Sequence, residues 1–313
     1  MNFNKTHILL FFFILSLSVD NYAQKTLAEK LGYKADDKLL IIHSDDVGVA
    51  HSENLGTLLA MKSGAVNSAS IMMPCPWVSE IATYAKNNNA ADFGLHLTLT
   101  SEWETMKWSP VASKDKVKSL INDQGFFYDN CTDFQKNANI NEVEIELRAQ
   151  IDRAYKMGFN PTHLDTHMGC LIYSPELLNV YLKLGEEYKI PAMIDRESYD
   201  AAAQKTKDLI KNKSLILEKI ITAYPSDFES GMAKYYEKVL TNLSSGVQIL
   251  LIHTAFDNAE MQALTINHAD WGSKWRQDDF DFFTSDKCQE LIKKENIKLV
   301  TWREIQEANY KKF

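Results

Sequence analysis

The chain has 313 residues, of which 45% are hydrophobic and 24% charged, with only 12 glycines and 7 prolines. This composition excludes a disordered or collagen-like chain, and the length suffices for one large α/β domain or two small ones. A net charge of −8 without a long lysine- or arginine-rich run argues against a nucleic-acid partner, and a mean hydropathy of −0.29 argues against a polytopic membrane protein.

The first 23 residues have the pattern of a secretory signal peptide. Lys5 provides a positive charge, an almost unbroken apolar run covers residues 8–19, and the small residue Ala23 suits a cleavage site. The run is shorter than the roughly 20 apolar residues that span a bilayer comfortably. We therefore predict a protein that is exported to the bacterial periplasm or beyond, without integral membrane association. The alternatives are an uncleaved anchor and a buried first helix.

From residue 25 onward, apolar runs typical of strands buried on both faces alternate with helical patterns. In chain order, the predicted strands are 39–43, 67–73, 93–99, 162–165, 191–194, 247–253 and 298–301. The predicted helices are 52–63, 77–85, 141–157, 175–188, 231–243, 288–295 and 303–310. This alternation predicts βαβ crossovers and a parallel sheet. We expect an irregular or incomplete (β/α) barrel of about seven strands, in a single domain over residues 25–313.

The four cysteines, Cys75, Cys131, Cys170 and Cys288, are far apart in the chain and have no CxxC spacing. Zinc-finger-type ligation is therefore not expected. An exported protein can form disulfides, and four cysteines allow three complete pairings, among which the sequence does not choose. Four buried free thiols are an equally good interpretation.

Acidic and histidine residues lie on or at the ends of four predicted strands: Asp45 and Asp46, His96 in the middle of its strand, the His163-Leu-Asp165-Thr-His167 segment, and His253. The carboxyl ends of parallel strands form the active-site face of a (β/α) barrel. Two imidazoles and one carboxylate suit Zn²⁺, Fe²⁺ or a similar divalent ion. A spare carboxylate and a spare histidine complete the equipment for hydrolysing an amide or ester.

Each of these features also has a structural interpretation. Adjacent aspartates often form a turn or a helix N-cap, and His96 alone resembles a satisfied core histidine. The HxDxH segment is compatible with a hydrogen-bonded structural cluster. The hydrolase interpretation depends on four separate strands placing metal-compatible groups at one end of the predicted barrel.

At these residues the sequence resembles the YdjC-like carbohydrate deacetylases, which include bacterial chitooligosaccharide deacetylases. The matching segments are 41–48, 94–99, 161–167 and 251–253, together with the stretch from Arg276 to Trp302. The resemblance covers most of the chain after residue 36. It implies an irregular (β/α) barrel related to the polysaccharide deacetylases, and removal of N-acetyl groups from amino sugars.

The resemblance also implies one divalent metal ion, Mg²⁺ or Zn²⁺, held by Asp46, His96 and His167. Asp45 then matches the general base that activates water, and His253 a late histidine that serves as general acid for the leaving amine.

The remaining polar residues of the HxDxH segment, His163 and Asp165, would orient His167 or the substrate. Two departures from the family pattern place the particular sugar in question. Val47 replaces the usual phenylalanine after the aspartate pair, and Met168-Gly169-Cys170 replaces further histidines after His167.

Other residues are candidates for substrate contact. Trp103, Trp108 and Tyr173 could stack on sugar rings, with packing as the alternative role. Arg196, just after a predicted strand, could pair with Asp45 or the substrate, with a surface salt bridge as the alternative.

We thus expect a metal-dependent deacetylase whose partner is an acetylated sugar or oligosaccharide. The alternatives are a non-catalytic glycan-binding protein with the same fold and a two-His-one-carboxylate Fe(II) enzyme. The sequence leaves open whether the chain forms a homodimer.

Overall fold

Seven parallel strands form one curled sheet in the computed structural model, which describes residues 25–208 and 216–310. They are β1 (Lys38–Val47), β2 (Ser68–Ile71), β3 (Phe93–Leu97), β4 (Leu164–Thr166), β5 (Lys219–Ile221), β6 (Gly246–Ile252) and β7 (Lys298–Leu299). Their spatial order is β4-β3-β2-β1-β6-β5, and β7 pairs with β1. The predicted signal segment lies outside the described residues.

Single-residue bridges link the two outer strands of the sheet through the segment 191–195. Ala192 pairs with Leu164 of β4, and Asp195 pairs with Leu217 just before β5. The sequence predicted a strand here, and the structure has only these isolated bridges. The α/β class with parallel strands curled as in an irregular barrel is confirmed.

Helices connect and cover the strands. They are α1 (Leu27–Lys30), α2 (His51–Ser63), α3 (Val78–Asn87), α4 (Cys131–Asn137), α5 (Ile140–Lys156), α6 (Pro175–Tyr188), α7 (Arg196–Ala201), α8 (Gln204–Lys207), α9 (Pro225–Ser230), α10 (Met232–Thr241), α11 (Ala259–Leu264), α12 (Ser273–Phe283), α13 (Asp286–Lys294) and α14 (Trp302–Asn309). Within the described residues, no helix is long and apolar enough to cross a membrane.

The sequence missed β5, α12 and six shorter helices, which are α1, α4, α7, α8, α9 and α11. The strand β5 begins with an exposed lysine and has only two isoleucines after it, so no continuous apolar run marks it, and α12 reads SKWRQDDFDFF, in which three aspartates interrupt the apolar pattern. The helix α6, by contrast, has the predicted bounds, because Ser174 caps it and Pro175 occupies its first turn.

The first strand shows how the core positions the site. Leu40 and Ile42 pack outward in a cluster with α10, α12 and α13, whereas Leu39 and Ile41 pack in a second cluster with Trp302. All four aliphatic side chains are fully buried. Because side chains alternate along a strand, His43 and Asp45 continue the face of Leu39 and Ile41. The polar side chains at the carboxyl end of β1 therefore lie directly above apolar core side chains on the same face of the strand.

Candidate active site

A register shift at the end of β1 brings two consecutive carboxylates to the site. The pairing with β2 shifts between Ser44 and Val47, as in a β-bulge, and Asp46 has a φ of +64°. Regular alternation would direct Asp45 and Asp46 to opposite faces of the sheet. Instead, the two ring nitrogens of His96 lie 3.8 Å from Asp45 Oδ1 and 3.4 Å from Asp46 Oδ1.

Asp46, His96 and His167 form the first candidate metal site. Asp46 Oδ1 lies 3.4 Å from His96 Nε2 and 3.3 Å from His167 Nδ1. This oxygen is buried and accepts no hydrogen bond within the described residues. A buried carboxylate oxygen that faces two imidazole nitrogens without a donor is the arrangement that a divalent cation satisfies.

Two carboxylates determine which nitrogen of each ring faces Asp46. Asp165 Oδ1 lies 2.7 Å from His96 Nδ1, and Glu102 Oε2 lies 3.0 Å from His167 Nε2. Because a carboxylate only accepts, these nitrogens carry protons, so His96 Nε2 and His167 Nδ1 are the ring atoms that would offer their lone pairs to an ion. Carboxylate–histidine pairs of this kind orient metal ligands in proteins. The residues fit a divalent ion.

Two further groups of donor atoms lie close enough to hold a cation: His43 with His163 and Asp165, and Asp45 with His96 and Asp165. In both groups Asp165 already accepts hydrogen bonds, with Oδ1 from His96 and Oδ2 from His43. The Asp46 group is therefore the one whose carboxylate oxygen accepts no hydrogen bond within the described residues.

Arg276 on α12 pairs with the oxygen of Asp46 that faces away from the two histidines. Its Nη2 lies 2.7 Å from Asp46 Oδ2, and its Nη1 lies 2.8 Å from the buried carboxylate of Glu53. Burial raises the pKa of Asp46, but Arg276 and His167 outweigh this effect and hold the pKa well below its usual range. Burial raises the pKa of Glu53 to about 8. The guanidinium also lies over the ring of Trp103, 5.4 Å from its centre.

Asp45 has different partners. Its Oδ1 accepts a hydrogen bond from Ser70 Oγ at 3.1 Å and lies 3.0 Å from His43 Nε2. Burial raises the pKa of Asp45, and the charges of His96 and His43 more than offset this rise, so the net shift is downward. Asp45 is thus an ionised carboxylate beside the metal candidates.

His253, just after β6, reaches the same site from the opposite side of β1. Its backbone N–H donates to Asp279 Oδ2 at 2.9 Å, and its ring Nε2 lies 3.7 Å from Asp46 Oδ2. Its side chain is 16% exposed, compared with 4% for Asp46. Burial lowers the pKa of His253 to about 4, and Arg276 adds to the effect, so the resting ring is neutral.

A cavity of about 140 Å³ opens beside Asp45 and His96. Most of its other lining is apolar, contributed by Ile172, Met193, Ile194, Ile220 and Leu251. A ligand would place a small apolar group against this lining, with its polar atoms toward the carboxylates of Asp45 and Asp165.

A disulfide between Cys131 and Cys170 ties the turn that follows His167 to the start of α4. This is one of the pairings that the sequence left open. Cys75 and Cys288 are buried free thiols.

Comparison with known proteins places the chain in a family. The model of the YdjC-like protein family matches residues 39–294. The chain belongs to the YdjC-like family. The predicted resemblance is thereby confirmed.

Relatives found by sequence similarity are named carbohydrate deacetylases. One from Thermus thermophilus is 30% identical over 90% of this chain and 98% of the relative. One from Thermoanaerobacter pseudethanolicus is 25% identical over 85% of this chain and 98% of the relative. A crystal structure from Enterococcus faecalis has a TM-score of 0.70 and 25% identity, covering 86% of this chain and 99% of that one. That protein has been provisionally described as a cellobiose-phosphate cleavage protein.

The structure brings together the five residues to which the YdjC-like resemblance assigned ligand or catalytic roles: Asp45, Asp46, His96, His167 and His253. The role of each stays a prediction.

The predicted partners of the HxDxH segment differ from the observed ones. Asp165 was expected to orient His167 or the substrate, but it contacts His96 and His43, and Glu102 contacts His167. His163 is fully buried and stacks on Trp302, with ring centres 5.0 Å apart, so it lies below the site rather than in its mouth.

The residues proposed for substrate contact divide into buried and exposed ones. Trp103 and Trp108 are each 3% exposed, so neither presents a free face to a sugar, and packing is their role in this structure. Tyr173 is 57% exposed and remains a candidate. Arg196 does not pair with Asp45; it is half-exposed and lies 3.7 Å from Glu218 at the surface.

Sequence reasoning missed three polar neighbours of the site: Glu102, Glu53 and Arg276. Glu102 lies three residues beyond the predicted strand 93–99, a position that could have marked it. Arg276 begins a stretch already noted as similar to the YdjC-like family. Glu53 lies within a predicted helix and had no sequence signal.

Proposed function

We propose that this protein is a metal-dependent hydrolase that removes N-acetyl groups from an acetylated amino sugar or oligosaccharide. The observation that carries the proposal is the unpartnered Asp46 Oδ1 facing His96 Nε2 and His167 Nδ1, with each ring held by a carboxylate at its other nitrogen. The names of the relatives from Thermus and Thermoanaerobacter support the substrate class.

Asp46, His96 and His167 would hold the ion, Mg²⁺ or Zn²⁺. When bound there, it would supply positive charge that polarises the amide carbonyl and makes a nearby water more acidic. Arg276 keeps Asp46 in place and ionised through its Oδ2, which leaves Oδ1 for the ion.

Asp45 is proposed as the general base that accepts the proton of the attacking water. Its carboxylate adjoins His96 and the cavity, and the hydrogen bond from Ser70 fixes its orientation. A base prepared in this way typically contributes about 10²–10⁴-fold to the rate.

His253 is proposed as the group that protonates the leaving amine. The side chain of His253 is more exposed than that of Asp46, as expected for a side chain that contacts substrate. Because its resting ring is neutral, the ring must gain a proton during turnover before it can act as an acid.

The cavity beside Asp45 supports an acetyl group as the part of the substrate that enters. Its apolar lining suits a methyl group, and its carboxylates mark the end at which water would attack. Tyr173 is the exposed aromatic candidate for stacking on the sugar ring.

The test is acetate release from N-acetylglucosamine oligomers by protein loaded with Mg²⁺ or Zn²⁺. We expect release that stops on chelation, returns on metal addition, and falls about 10²–10⁴-fold in Asp45→Asn. A phosphorylated acetylated disaccharide is the second substrate, because of the description given to the Enterococcus relative.

Binding of these oligomers without acetate release would favour the glycan-binding alternative. Oxygen consumption with Fe(II) and 2-oxoglutarate would favour the oxygenase. Acetate release that Asp45→Asn leaves unchanged would refute the proposed base.

We also propose that the protein is exported. The sequence pattern of residues 1–23 supports this location, and so does the Cys131–Cys170 disulfide, since such bonds persist in oxidising compartments. Fractionation of cells that produce the full chain tests the proposal, and recovery of all protein in the reducing cytoplasm would contradict it.

A further inference from the structure

His43 lies between two carboxylates of the candidate site, a position for which the sequence offered no role. Its Nε2 is 3.0 Å from Asp45 Oδ1 and 3.0 Å from Asp165 Oδ2, and the ring is fully buried. Since ionised carboxylates only accept hydrogen bonds, Nε2 must carry a proton that both oxygens share.

The other nitrogen of the ring faces a hydroxyl oxygen that can accept a hydrogen bond from it. His43 Nδ1 lies 2.9 Å from Ser68 Oγ, and Ser68 Oγ donates to Asp92 Oδ1 at 3.2 Å. The serine hydroxyl has one proton, which the hydrogen bond to Asp92 uses. With that proton on the Asp92 side, Ser68 Oγ accepts from Nδ1, and His43 donates at both nitrogens.

We propose that His43 is a buried imidazolium that acts as a positioning residue, fixing Asp45 relative to Asp165. Because Asp45 is the proposed base and Asp165 orients His96, one cation sets the spacing between the base and a proposed metal ligand. This inference rests on the proposed function for its catalytic consequence, but the protonation of His43 stands independently of it.

The groups around His43 favour a positive ring. Asp45 and Asp165 contact Nε2, and Asp92 is reached through Ser68. The ring of His163, 4.9 Å away and edge-to-face, adds no second charge, because burial lowers its pKa.

The balance of these effects agrees with the hydrogen-bond count. Burial disfavours the charged ring of His43, but Asp165 and Asp45 outweigh it and raise the pKa of His43 to about 9. Without the cation, two buried carboxylates would face each other across one site, and their repulsion would move them apart.

The direct test is long-range ¹H–¹⁵N NMR on metal-loaded full chain with ¹⁵N-labelled histidine at pH 7.5. The signals of His43 are identified by their loss in His43→Gln. We expect both ring nitrogens of His43 to show the shifts of protonated nitrogen. One unprotonated nitrogen in this ring would overturn the proposal, whether the lone pair is free or bound to a metal ion.

A thermal-stability cycle tests the charge balance. The amide of His43→Gln can still donate to the carboxylates, but it carries no charge. We expect the Tm to fall by about 5–15 °C. Adding Asp165→Asn removes one carboxylate charge, so the double variant should regain about half of the loss.

A purely packing role for His43 predicts the opposite outcome, a double variant less stable than His43→Gln alone. His268→Gln, at a histidine outside the site, is the matched control and should leave the Tm unchanged. If His43→Gln does not fold, the signals of His43 are identified by sequential resonance assignment of the unmutated chain. The NMR measurement then still decides the protonation of His43.

The catalytic consequence is measured separately. In His43→Gln we expect kcat for acetate release to fall about tenfold or more, with KM within about threefold, because the base is displaced while the substrate-facing surface is kept. An unchanged kcat together with a doubly protonated ring would refute the positioning role alone. Absence of acetate release from the unmutated chain would instead refute the proposed function.

Discussion

Asp45 and Asp46 are neighbours in the chain and both face His96, but their other side-chain partners differ. Asp46 is paired with Arg276 through one oxygen and leaves the other without a donor, facing His96 and His167. Asp45 is held by Ser70 and His43 and borders the cavity. Two adjacent residues of one type thus acquire different proposed roles from their neighbours alone, one as a metal ligand and one as a base.

The largest effect should come from exchanging the two aspartates for asparagine one at a time. Asp46→Asn should lose the metal and reduce acetate release by about 10³-fold or more, since one ligand charge is gone. Asp45→Asn should keep the metal and lose only turnover. Metal content of the purified proteins and acetate release measure both outcomes, and equal metal loss in both variants would abolish the distinction.

Removal of Arg276 should mainly cost stability. In Arg276→Met, the buried carboxylate of Asp46 loses its cation and Glu53 loses the guanidinium that lowers its pKa, which we expect to lower the free energy of unfolding by about 3–5 kcal/mol. Urea unfolding of the metal-free protein measures the loss. Adding Glu53→Gln should recover part of it, and a further loss instead would show that Glu53 does not depend on Arg276.

The proposed metal site around Asp46 depends on Glu102, which orients the ring of His167. Glu102→Gln should weaken metal affinity about 10–100-fold, because the ring of His167 is no longer held with Nδ1 toward Asp46. Glu104→Gln is the matched control, since Glu104 is exposed and bonds to Asn267 outside the site. Titration with Zn²⁺ compares the two, and equal affinities would remove Glu102 from the site.

The smallest effect on activity should come from a change beside Asp45, the proposed base. Ser70→Ala removes one hydrogen bond to Asp45, worth about 0.5–1.5 kcal/mol, so kcat should fall about two- to tenfold with metal affinity unchanged. Steady-state acetate release and Zn²⁺ titration measure the two quantities. A change in metal affinity would show that Ser70 acts through Asp46 instead.

Much of the fold was accessible from the sequence because its strongest elements are locally encoded. The continuous apolar run of β1 and the capped helix α6 were predicted at or near their observed positions. The short strand β5 and the aspartate-rich helix α12 were missed, because tertiary contacts rather than local periodicity stabilise them. Because α12 was not predicted, the contacts of Arg276 with Asp46 and Glu53 could not be inferred from the sequence.

The sequence by itself determined which strands carry ionisable residues at their carboxyl ends, since parallel strands place those ends together. Only the tertiary structure decided which atoms meet. Arg276 and Asp46 are separated by 230 residues, and Glu102 and His167 by 65. The assignment of a proton to one ring nitrogen, and of a lone pair to the other, depends on such long-range contacts, because hydrogen bonds require atomic proximity that no local pattern encodes.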